Sequence, residues 1–173
     1  MRTTKKLTIS AITVALGALF ISLGSFVEAF DLTACCLASL FVMFIYIEIG
    51  SPYTWLVWLC TSLVAFVTAP GFAWAEYFFL FGIYPILKAY IERAPRTLWL
   101  ALKALFFAAV VGGAYAVCEL LLGVPFFEVD LPWLKIGTVV LIFVASFAYD
   151  IFLTVLIKFY IFKLRHGIKN LLK

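Results

Sequence analysis

Long apolar runs separated by short polar turns organise this chain, and each run is close to the roughly 20 residues an α-helix needs to cross a bilayer. The first covers 7–27 and stops at the acidic turn Glu28-Ala29-Phe30-Asp31. The second, 32–49, is broken by Gly50-Ser51-Pro52, because glycine accepts turn dihedrals and proline disfavours helix in the residue before it. The third, 53–69, ends at Pro70-Gly71. A fourth, 72–91, contains Pro85, which removes one backbone donor and predicts a kink towards its cytoplasmic end. Glu92-Arg93-Ala94-Pro95-Arg96 is the most polar internal connection. A fifth run, 98–122, carries Gly112-Gly113, and a connection holding Glu128 and Asp130 leads to a sixth, 133–162. These periods predict an all-α integral membrane protein, a bundle of about six transmembrane helices forming a single domain over residues 1–173.

Composition agrees with the pattern. Hydrophobic residues make up 66% of the chain and charged residues 13%, against about 25% charged in soluble domains. Six spans with short loops nearly exhaust 173 residues and leave no room for a soluble catalytic domain. The basic residues before the first run resemble the charge order of a signal peptide, but the run is longer than an h-region of about 7–15 residues, so it reads as a retained helix.

The net charge of +4 does not point to nucleic acid, since the cations cluster at helix ends. Loops rich in Lys and Arg stay in the cytoplasm. With both termini inside, Lys5, Lys6, Lys88, Arg93, Arg96, Lys103, Lys158, Lys163 and the tail cations share the cytoplasmic side, and Lys135 alone falls outside. The opposite face is acidic, with Glu28, Asp31, Glu128 and Asp130 in or beside loops and Glu76 and Glu119 within a turn or two. A multi-pass protein of a cell membrane, both ends inward and lipid its surroundings, follows.

Two constellations stand out. Ala11, Ala15, Ala18 and Ser22 follow one another at helical spacing in the first run and place small side chains along one face. In lipid, helices associate through close backbone approach, which such residues permit. The face can serve packing within the chain or docking to a partner. Ionisable groups inside the bilayer are costly, hence functional candidates. Asp150 lies near the middle of the sixth run beside Tyr149; Glu76 and Tyr77 in the fourth, with Tyr115 and Glu119 in the fifth, lie near the outer leaflet. Such carboxylates and aromatics, with Trp74 and Trp133, suit a small cationic or amine-bearing molecule, held by charge and cation–π contact. The same residues also fit an interfacial belt, and Asp150 a structural ion pair. Glu48, Lys88, Glu92 and Lys103, near the cytoplasmic ends, read as an ion-pair cluster of structural role.

Ala11-Ile12-Thr13-Val14-Ala15, preceded by the basic leader Lys5-Lys6-Leu7-Thr8, resembles the AxxxA-bearing first helix of S components of energy-coupling factor (ECF) transporters. Chain size, six spans and inward ends are similar as well. The resemblance implies a bacterial or archaeal subunit that captures a vitamin-like micronutrient in the outer half of its bundle. It also implies that Ala11 and Ala15 dock on a membrane-embedded coupling subunit served by ATPases, with rotation of the whole bundle delivering the substrate. A ligand-free scaffold or an autonomous small transporter is the alternative.

Enzymatic chemistry finds little footing. The single histidine, His166, sits in the basic tail, and no GxSxG, HExxH or P-loop pattern occurs, so no catalytic residue and no cofactor is expected. Cys35, Cys36, Cys60 and Cys118 form no CxxC and have no histidine nearby, which points to packing and not to a metal site.

Overall fold

The computed structural model describes residues 3–117, 119, 123 and 132–164, and among them every regular element is helical. Helix α1 spans Thr3–Gly24, α2 Asp31–Glu48, α3 Ser51–Thr68, α4 Ala73–Glu76, α5 Tyr84–Ile91, α6 Arg96–Ala116 and α7 Pro132–Phe159. Five segments are long and apolar enough to cross a membrane: α1, α2, α3, α6 and Trp133–Lys163, the last being α7 with the π-helical turn that extends it. The chain is an all-helical, multi-pass membrane protein. Its described residues form two compact units, one drawn from Met1–Arg93 and one from Ala94–Arg165. Glu128 and Asp130, Cys118 and the basic tail with His166 lie outside the described residues.

In the first unit α1 packs along both α2 and α3. The buried side of α1 carries Ser10, Thr13, Gly17, Ala18 and Ile21. Glycine sets the approach: a Cβ on Gly17 would lie 3.1 Å from Thr61 Cγ2, and one on Gly24 would collide with the Ala34 methyl group. The helices can pack this closely because those side chains are missing. At one end of the unit Lys6 lies over the Tyr53 ring at 5.7 Å, Ser51 Oγ and Tyr90 OH are 2.8 Å apart, and Arg93 donates to Tyr46 OH at 2.9 Å. Asp31 and Glu76, at the start of α2 and the close of α4, belong to the other end.

The fourth apolar run is not one kinked helix. It is α4, a π-helical turn over Tyr77–Phe81, and then a fresh helix, α5, with Pro85 in its first turn. Proline has no N–H to continue the ladder but is well suited to a helix start, so the chain restarts there. The Gly82 amide reaches back five residues to the Tyr77 carbonyl at 2.6 Å, and the Trp58 indole of α3 donates to the Phe78 carbonyl at 3.2 Å. Trp58 also stacks on the Phe78 ring, centroids 4.7 Å apart, and a Cβ on Gly82 would stand 2.6 Å from Trp58 Cδ1. Irregular backbone at membrane depth survives only where protein groups meet its freed carbonyls, and Trp58 does that here.

The second unit pairs α6 with α7. Phe107 is buried and its ring packs edge-on against Phe147, centroids 6.1 Å apart.

Gly24→Ala should lower thermal stability in detergent by about 1–3 kcal/mol through overpacking against Ala34. Gly112→Ala, where a Cβ meets nothing within 4 Å, should be neutral or gain up to about 1 kcal/mol of helix propensity. Equal melting shifts for the two would remove glycine contact as the reason for the α1–α2 approach.

Candidate functional site

Most hydroxyl groups in these helices hide themselves. A Ser or Thr side chain in an apolar helix can donate to the carbonyl four residues earlier. Thr13, Thr54, Ser62, Ser146 and Thr154 all do so at 2.8–3.0 Å. Thr61, on α3, does not: it is 1% exposed and its Oγ1 makes no hydrogen bond. Thr61 is the side chain that approaches the hydroxyl of Tyr77, which is fully buried and also lacks a hydrogen bond of acceptable geometry.

Glu76 stands beside Tyr77 in the interrupted segment, with Oε2 buried and unbonded. Asp31, at the first turn of α2, lies within electrostatic reach of Glu76. One turn along α2, the Cys35 thiol feels Glu76, Asp31 and the Tyr77 hydroxyl, and donates to the Ala73 carbonyl at 3.4 Å. Helices α2, α3 and α4 with the π-helical turn thus bring two carboxylates, two hydroxyls and one thiol into one neighbourhood. Glu76 closes α4 and Tyr77 opens the π-helical turn that follows it. Such a group can accept hydrogen bonds and balance positive charge.

The second unit holds a different arrangement. Lys103 of α6 donates to Asp150 Oδ2 of α7 at 2.7 Å, with side chains 9% and 12% exposed. The ammonium also lies 5.9 Å over the Trp99 ring. Tyr149, next to Asp150, is buried as well. Tyr115, exposed in the last turn of α6, donates to the carboxylate of the exposed Glu119. A recess of about 580 Å³ along α7, lined by Val140, Phe143, Val144, Phe147 and Ile151 among others, is almost wholly apolar.

The six residues predicted to bind substrate therefore fall into two sets. Glu76 and Tyr77 adjoin in the first unit, whereas Tyr115, Glu119, Tyr149 and Asp150 belong to the second. Of the aromatics, Trp74 packs edge-on against Phe66 and Trp133 is 82% exposed. Lys88 bridges Glu92 at 3.3 Å one turn away, and Lys103 meets Asp150. The small-residue face of α1 divides: Ala11 and Ala15 are exposed, Ala18 is buried, and Ser22 Oγ lies 2.6 Å from Thr68 Oγ1 of α3. Thr61, Cys35 and Asp31 escaped prediction as site members, because a single threonine, a cysteine and a helix-start aspartate each have an ordinary structural use. No protein family, curated protein or solved structure matches this chain.

Removing one partner of a buried ion pair leaves an uncompensated charge. Lys103→Met should therefore cost about 3–5 kcal/mol of stability, and adding Asp150→Leu to it should restore most of the loss. Thermal unfolding of both variants in detergent checks this; a double variant as unstable as the single one would contradict an ion pair of structural role.

Proposed function

We propose that this chain is the membrane-embedded substrate-binding subunit of an uptake system, similar to the S components of ECF transporters, that captures a small vitamin-like solute from outside. The observation that carries the reading is the group of unbonded, buried oxygens on Thr61, Glu76 and Tyr77 beside an interrupted helix. Discontinuous helices at membrane depth are where transporters commonly build their solute sites. A folded protein leaves such oxygens without hydrogen bonds at a cost of about 1–3 kcal/mol each, so a ligand that meets them gains that difference.

Orientation comes from charge. In the first unit Lys6 and Arg93 gather at one end and Asp31 and Glu76 at the other, the arrangement expected if the basic end is cytoplasmic and the acidic end faces out. We take the chain to cross the cell membrane of a bacterium or archaeon six times with both termini inside. ATP is then spent by partner ATPases acting through a coupling subunit, and the exposed pair Ala11 and Ala15 on α1 is the place for that subunit to dock. The solute is taken to be cationic or amine-bearing, because the site's charge is acidic. No catalytic step is assigned to the chain.

Docking and binding separate in one experiment. Ala11→Leu with Ala15→Leu should abolish copurification of the coupling subunit and leave unchanged the thermal shift given by the best ligand from a vitamin panel. Loss of the thermal shift would place that face in internal packing, and a panel without any shift would favour a scaffold.

A further inference from the structure

At the basic end of the first unit one cation is held in a fixed pose. Arg93 follows the last turn of α5, and its amide donates to the Tyr90 carbonyl at 3.1 Å. Its guanidinium donates to the hydroxyl of Tyr46, near the end of α2, at 2.9 Å, and lies 5.1 Å over the Tyr90 ring. Tyr90 is anchored in turn, its hydroxyl 2.8 Å from Ser51 Oγ at the start of α3. Groups from α2, α3 and α5 thus orient a side chain that stays exposed. A hydroxyl and a ring face fix the guanidinium without cancelling its charge, because neither is an anion. The guanidinium carries several N–H donors in a planar fork, and Tyr46 engages one nitrogen of it. Lys6, at the same end, is likewise held over a tyrosine, Tyr53, at 5.7 Å. Tyr46 and Ser51 flank the short connection between α2 and α3, both long and apolar enough to cross a membrane, so Arg93 stands where spans end and lipid phosphates begin. One turn into α3 the exposed side chains are already apolar, Trp55 and Leu56.

We propose that Arg93, oriented by Tyr46 and Tyr90, binds the phosphate of an anionic phospholipid whose acyl chains lie against the exposed apolar side chains at the start of α3. A guanidinium fork meets phosphate oxygens through paired N–H groups, and holding it still before the ligand arrives lowers the cost of ordering it. Lys6 adds positive charge at the same end, which an anionic headgroup favours. Glu48, at the close of α2, and Glu92, bridged by Lys88, are carboxylates of this end, and the headgroup sits clear of both. A soluble phosphate ester has the same chemistry at its phosphate, but it has no use for Trp55 and Leu56, and the lipid does. The site is separate from Thr61, Glu76 and Tyr77, does not depend on what they hold, and stands whichever leaflet the basic end occupies.

The test is native mass spectrometry of the full chain in a neutral detergent, titrated with phosphatidylglycerol or with phosphatidylcholine of the same acyl chains. The second lipid carries the same phosphate but balances it with its own ammonium. The first phosphatidylglycerol should bind at least about fivefold more tightly than the first phosphatidylcholine, the factor that one basic residue contributes at an anionic surface. Arg93→Gln should abolish that preference. Lys5→Gln, which removes an exposed cation from the same end, should leave most of it. Tyr46→Phe keeps the ring and every charge but releases the guanidinium, and should cut the preference to about half even if the glutamine variant does not fold. Equal binding of the two lipids, or a preference unchanged in whichever of Arg93→Gln and Tyr46→Phe folds, would overturn the proposal. So would equal losses from Lys5→Gln and Arg93→Gln, which mark diffuse surface charge and no built site. Displacement of phosphatidylglycerol by an excess of glycerol phosphate would overturn it too, by making a soluble phosphate ester the occupant.

Discussion

Lipid offers a polar atom no partner, and among the described residues the interrupted helix, the Lys103–Asp150 pair and the back-bonded hydroxyls each meet that constraint within the protein. Five long segments satisfy their backbones internally. The fourth apolar run does not: the Gly82 amide reaches back five residues to the Tyr77 carbonyl, the Phe78 carbonyl that this leaves over accepts from the Trp58 indole, and Pro85 opens a new helix beyond. The break is held, and the hold depends on a glycine against which an aromatic ring fits.

The same constraint sorts the polar side chains into two kinds. Lys103 and Asp150 neutralise one another inside the second unit, and a set of hydroxyls bonds to the backbone four residues back. Thr61, Glu76 and Tyr77 keep oxygens that nothing bonds, on three neighbouring elements of the first unit. Asp150 was the most conspicuous candidate in the sequence, yet its charge is met by Lys103. The less conspicuous Glu76 and Tyr77 gain weight by where the interrupted helix puts them.

Hydrophobic periodicity made the long helices legible, with starts within about four residues of those seen, because bilayer thickness fixes span length. It did not reveal the interruption of the fourth run. The proline was visible, but the π-helical turn before it is met by Trp58, which another helix contributes to the Phe78 carbonyl. Pairing was illegible for the same reason: Lys103 and Asp150 are 47 positions apart, and nothing in their spacing joins them. On α1 the alanine stripe was readable, whereas its division into exposed Ala11 and Ala15 and buried Ala18 required knowing that α2 and α3 pack along the Gly17 side.

The central claim is the proposal that the unbonded, buried oxygens of Thr61, Glu76 and Tyr77 hold a solute. Small molecules released from the protein purified out of native membranes, identified by mass spectrometry, test this most directly. A single low-mass, positively charged compound should be recovered in amounts comparable to the protein, and lost from Glu76→Gln. Recovery of lipid alone, or equal recovery of that compound from the variant, would contradict the account.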